Sequence, residues 1–198
     1  MSTGSQNRIR HGALNLPNQI TIARLALAVI VFVLLPLGQY LASLVLFVVA
    51  AATDWIDGYL ARRNKQVTQL GRILDPFADK ILICGAYIFL AAEPASRIPA
   101  WMAVVVVARE LLVTALRSFL EERGADFSAT QAGKLKMALQ CLAVVASLCL
   151  LGGLRTATVP PAWLPGSVTV LVWLALVATV YSGIGYVISA ARLLGAAR

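Results

Sequence analysis

The chain has 198 residues, 60% of them hydrophobic and 13% charged, and carries a formal net charge of +8 at neutral pH. A mean hydropathy of +0.81 excludes an ordinary soluble domain. The excess of Lys and Arg calls for an anionic surface beside the apolar bulk, and lipid headgroups meet that need better than nucleic acid, which requires an accessible basic domain with stacking aromatics.

In chain order, residues 1–18 read as a mildly basic N-terminal cytoplasmic arm, and residues 19–198 as one six-helix transmembrane domain. Between Arg24 and Asp54 lie 29 residues without a formal charge, interrupted by Leu35-Pro36-Leu37-Gly38-Gln39. That pattern predicts two membrane helices joined by a tight turn, since one span takes about 20 apolar residues. Lys136 is followed by 18 uncharged residues up to Leu154, and residues 167–191 form another long apolar run. The predicted spans are 19–37, 40–62, 73–92, 98–120, 136–154 and 167–191, giving an all-α integral membrane protein. A cleaved signal peptide is not expected, because five more spans follow the first.

Charge orients these spans. With the N-terminus in the cytoplasm, 15 of the 17 basic residues fall on the cytoplasmic side and only Arg97 and Arg155 on the other. The positive-inside rule therefore predicts N-in and C-in. Cys84, Cys141 and Cys149 are odd in number, lack C-x-x-C spacing and read as inert thiols within spans. His11, the sole histidine, lies in the N-terminal arm, which argues against a Ser-His-Asp triad, and zinc sites have too few ligands.

Against this apolar background stands D-x2-D-G-x2-A-R-x8-G-x3-D-x3-D, formed by Asp54, Asp57, Gly58, Ala61, Arg62, Gly71, Asp75 and Asp79. Four of the chain's nine acidic residues lie in these 26 positions. Charges beside apolar spans are expensive and mark functional sites by default. Asp54 and Asp57 are three apart on one predicted helix, about 60° around its axis; Asp75 and Asp79 are four apart on the next, about 40° around. Each pair presents both carboxylates to one side. The short polar linker makes the two helices antiparallel neighbours, so the pairs converge, and carboxylates that converge need cations between them. Hard oxygen ligands suit Mg²⁺ or Mn²⁺, with room for two ions. Gly58 and Ala61 keep the helix surface low, Arg62 offers a fork-shaped phosphate donor, and Gly71 opens the next helix where N–H groups favour an anion. Plain helix–helix contact competes for Gly58, and a headgroup anchor for Arg62.

This pattern resembles the signature of the CDP-alcohol phosphotransferase family and matches every fixed position. The resemblance implies a dimeric six-helix membrane enzyme of the inner (plasma) membrane, its active site facing the cytoplasm. It implies that Asp54, Asp57, Asp75 and Asp79 bind the metals, that Asp79 is also the general base, and that Gly58, Ala61, Arg62 and Gly71 hold the CDP part of the lipid donor. Leu16-Pro17-Asn18-Gln19-Ile20-Thr21-Ile22-Ala23-Arg24-Leu25, Asp54-Trp55-Ile56-Asp57-Gly58-Tyr59-Leu60-Ala61-Arg62-Arg63, Leu74-Asp75-Pro76-Phe77-Ala78-Asp79-Lys80, Ala108-Arg109-Glu110-Leu111 and Gly133-Lys134-Leu135-Lys136 are similar to one branch. Its members transfer a phosphatidyl group from CDP-diacylglycerol to sn-glycerol 3-phosphate. Branches using phosphatidylglycerol, serine or inositol phosphate are the near alternatives, and a divalent-cation carrier the distant one.

A dianionic acceptor needs cations on the cytoplasmic side. Arg109 and Arg117 lie about 80° apart around their helix and can border one cavity together with Lys134 or Lys136. Those two lysines point nearly opposite ways, so one of them suits a headgroup anchor instead. Glu110 has a neighbouring arginine as its natural partner. Asn18, Thr21 and Arg24 are candidates for the nucleotide, with a helix cap or an interfacial anchor as the competing roles.

Overall fold

A computed structural model describes residues 16–64, 69–121, 131–156 and 160–196, without the side chains at 16–18, 20, 54–64, 69–76, 79, 121 and 193–196. The described residues form helices only: α1 (Leu16–Leu34), α2 (Tyr40–Asn64), α3 (Gln69–Ala91), α4 (Ala100–Glu121), α5 (Gln131–Arg155) and α6 (Leu164–Ala196), with a 3₁₀ turn at Pro94–Ser96 before α4. Each helix coincides with a predicted apolar span. The ends differ: α5 begins at Gln131 where the apolar run begins at 136, because the backbone ladder continues through polar turns that hydropathy does not count.

The chain divides into two compact units, Met1–Gly85 and Ala86–Arg198. In the first, α1 packs on α2. The reversal between them has a physical stop signal. Pro36 stands two residues beyond Leu34, the last residue of α1, and a proline disfavours helical backbone in the residue before it, here Leu35. Gly38 then takes φ 70°, a left-handed conformation open to glycine at little cost. The Gly38 amide donates to Leu35 O and the Gln39 amide to Leu34 O, both at 3.0 Å, satisfying carbonyls that the helix end leaves open.

In the second unit, α6 packs on both α4 and α5, and the 3₁₀ turn lies against α5. Ser96 fixes that turn. Its hydroxyl donates to Leu90 O at 2.6 Å and accepts from the Ile98 amide at 3.1 Å, while its carbonyl accepts from Ser147 Oγ at 2.9 Å.

Polarity is arranged inside out in both units. Thr21, Arg24 and Ser43 are buried in the first, while Val29, Ile30 and Val45 are exposed. Glu110, Lys136, Gln140 and Thr179 are buried in the second, while Val104, Leu142 and Val177 are exposed. Soluble proteins rarely expose apolar surface on this scale. The stretches Gln131–Arg155 and Leu164–Arg192 are long and apolar enough to cross a membrane; Thr21–Leu34, Tyr40–Thr53 and Lys80–Ala91 are shorter apolar helical stretches.

Candidate functional site

The two halves of the acidic motif lie on helices, as the spacing requires. Asp54, Asp57, Gly58, Ala61 and Arg62 belong to α2; Gly71, Asp75 and Asp79 belong to α3. Their side chains lie outside the described residues, as does that of Asn18 on α1. Among the described residues no three His, Cys, Asp or Glu side chains gather into a metal-binding group. Cys84, Cys141 and Cys149 form no disulfide and are half-buried.

Thr21 and Arg24, one turn apart on α1, are 1% and 2% exposed. An anchor that reaches lipid headgroups keeps its charged tip in water, so this burial speaks against that role for Arg24. A buried arginine within an apolar helical stretch is a functional candidate by default.

The second unit holds a described polar cluster. Glu110 on α4 accepts a hydrogen bond from Arg109 Nη1 at 3.2 Å and pairs with Lys136 Nζ on α5. All three side chains are at most 10% exposed. Arg109 Nη2 donates to Ser182 Oγ on α6 at 2.7 Å, and its guanidinium carbon stands 5.7 Å from the centre of the Tyr186 ring. Ser182 donates onward to Thr179 O at 3.3 Å. A second strut runs parallel: Gln140 Nε2 donates to Thr179 Oγ1 at 3.0 Å, and Thr179 Oγ1 donates to Ala175 O at 2.6 Å. Each hydroxyl both accepts and donates, whereas the buried Arg109 Nε has no hydrogen-bond partner among the described residues. One carboxylate faces two cations.

The four cationic candidates therefore part company. Arg109 and Lys136 meet on Glu110; Lys134 is exposed and Arg117 half-buried. The expected arginine partner of Glu110 is present, and Lys136 joins it from 26 positions away. Ser182, Tyr186, Gln140 and Thr179 escaped the sequence reading. Their signal is faint but real: Lys136 and Gln140 are four apart on α5, and Thr179, Ser182 and Tyr186 sit three and four apart on the largely apolar α6, a polar stripe that must face protein. Ser182 and Tyr186 also wall a groove of about 380 Å³ that includes Ala132, Gly185 and Ser189.

The sequence profile of the CDP-alcohol phosphatidyltransferase family matches residues 14–181. The chain belongs to that family. Among its relatives is the CDP-diacylglycerol–glycerol-3-phosphate 3-phosphatidyltransferase of Bacillus subtilis (strain 168), 41% identical over 149 residues that span 68% of this chain and 76% of the relative. The protein of that name from Rickettsia typhi is 34% identical over 176 residues, covering 87% of this chain and 94% of its own. One from Pseudomonas fluorescens is 43% identical over 114 residues, 56% of this chain and 58% of its own. The family match takes in all four motif aspartates together with Arg109, Glu110 and Lys136, and ends one residue before Ser182.

Proposed function

We propose that this protein transfers the phosphatidyl group of CDP-diacylglycerol to sn-glycerol 3-phosphate, giving phosphatidylglycerophosphate and CMP. The observation that carries the reading is similarity to phosphatidyltransferases of that specificity along 87% of the chain, in a chain where every fixed position of the acidic signature is filled. The enzyme is read as a six-span inner-membrane protein, N-in and C-in, working as a homodimer with its site at the cytoplasmic headgroup plane. There the diacyl tails of the donor stay in lipid while a water-soluble acceptor enters from the cytosol.

The donor set fits a divalent cation. Asp54 and Asp57 on α2, with Asp75 and Asp79 on α3, offer only hard oxygens, the ligands of Mg²⁺ or Mn²⁺. When bound, one or two such ions would neutralise the diphosphate and the charge that develops on the departing phosphate. The remaining roles belong to the chain. Gly58, Ala61, Arg62 and Gly71 hold the CDP part, and Asn18, Thr21 and Arg24 extend that contact. Asp79 takes the proton of the acceptor's 1-hydroxyl. The hydroxyl oxygen bonds to the β-phosphorus of the donor, the bond from that phosphorus to the bridging oxygen breaks, and CMP leaves. Arg109 and Arg117 receive the acceptor phosphate. Lys134 is free to meet either the acceptor or lipid headgroups, and Lys136, held by Glu110, contributes its charge to the field around Arg109.

CMP release by the purified full chain, supplied with CDP-diacylglycerol and glycerol 3-phosphate, phosphatidylglycerol, serine or inositol phosphate in turn, tests the reading. Release is expected with glycerol 3-phosphate. Release with a different acceptor alone moves the chain to a sister branch, and cation flux without CMP release removes it from transferases.

A further inference from the structure

An arginine that binds phosphate from a loose side chain loses affinity to the cost of ordering it. Around Arg109 that ordering is already in place. Its Nη1 is held by Glu110 and its Nη2 by Ser182, and the Tyr186 ring stands 5.7 Å from the guanidinium carbon. Gly183 completes the cradle. A Cβ at that position would come within 3.1 Å of Arg109 Cγ and 3.7 Å of its Nε, so the missing side chain lets the arginine stem lie close along α6. Two of the five guanidinium N–H groups are used in this way, and the others, including Nε–H, have no hydrogen-bond partner among the described residues. Tyr186 matters for what it does not do: an aromatic face steadies a cation without occupying a donor or cancelling the charge.

We propose that Ser182, Gly183 and Tyr186 are positioning residues that aim Arg109 at the phosphate of the acceptor, an inference that rests on the acceptor-binding role given to Arg109 above. All three lie beyond residues 14–181, the stretch matched by the family profile. The arginine is thus carried by the matched segment, and its orientation by the helix turn that follows.

Steady-state kinetics of the purified full chain, with CDP-diacylglycerol in detergent micelles and each substrate varied in turn, test this. Tyr186→Leu should raise the KM for glycerol 3-phosphate about fivefold to tenfold, and leave the KM for CDP-diacylglycerol within about twofold. Tyr186→Phe, which keeps the ring, should restore the wild-type KM. Ser182→Ala should act in the same direction, and it carries the comparison if Tyr186→Leu fails to elute as a folded protein. A KM rise shared by both substrates, a fall confined to kcat, or a Tyr186→Phe enzyme as impaired as Tyr186→Leu overturns the proposal. The acceptor reading fails separately. If the wild type releases CMP only with inositol phosphate, that reading falls and the positioning role is decided by the KM for inositol phosphate; activity only with an acceptor lacking phosphate overturns both.

Discussion

Burying the ammonium of Lys136 strips it of water, and the Glu110 carboxylate offsets that loss only while both partners are present. Glu110→Ala should therefore destabilise the protein by about 3–5 kcal/mol, because Lys136 and Arg109 both lose a buried carboxylate partner. Replacing both residues with apolar ones, Glu110→Leu with Lys136→Met, should recover most of that loss in thermal unfolding in detergent. Equal destabilisation by the single and double variants would show that the pair carries little of the fold. At the motif, Asp54→Asn, Asp57→Asn and Asp75→Asn should each abolish turnover and weaken divalent-metal binding. Asp79→Asn is expected to differ: three carboxylates remain to hold metal and donor, so CDP-diacylglycerol binding persists while single-turnover CMP release disappears. Binding and turnover lost together would make Asp79 a ligand first and a base second.

Between helices, glycine is used where backbones or rings come close. A Cβ on Gly85 of α3 would collide with the Phe32 ring of α1. Gly85→Ala should cost about 1–3 kcal/mol through overpacking, whereas Gly166→Ala near the start of α6, with open space around the new methyl, should leave the unfolding temperature unchanged. A neutral Gly85→Ala would mean that the Phe32 ring swings aside freely. The existence of all six helices was legible because apolar runs of this length have few other solutions. Their ends were not, since Gln131 to Leu135 carry the helix of α5 through a polar turn. The reversal at Leu35–Gln39 was legible, because Pro36 and Gly38 act through local sterics alone.

For the whole molecule, the two-to-fifteen division of basic residues sets the expected orientation. In a cysteine-free background, Thr156→Cys should react with a membrane-impermeant thiol reagent added outside intact cells, and Ala191→Cys only after permeabilisation. The reverse pattern would invert the topology and move the acidic motif to the far side of the membrane. Trp101 and Trp173 meet edge to face at 5.9 Å, and indoles with half their surface exposed are favoured at the headgroup level.

The sequence alone determined the all-helical class, the presence of six helices and the family signature with its spacing, since each depends on composition or on residues a few positions apart. Only the tertiary structure decided which of the cations are buried and what holds them. Lys134 and Lys136 are two positions apart, yet one is exposed and the other is buried against Glu110. Arg109 is held from a helix more than 70 positions further along the chain, by Ser182 and Tyr186. Helical periodicity shows which side chains share a face, but the rotation of each helix about its axis is set by packing against its neighbours, and no stretch of the chain encodes that rotation by itself.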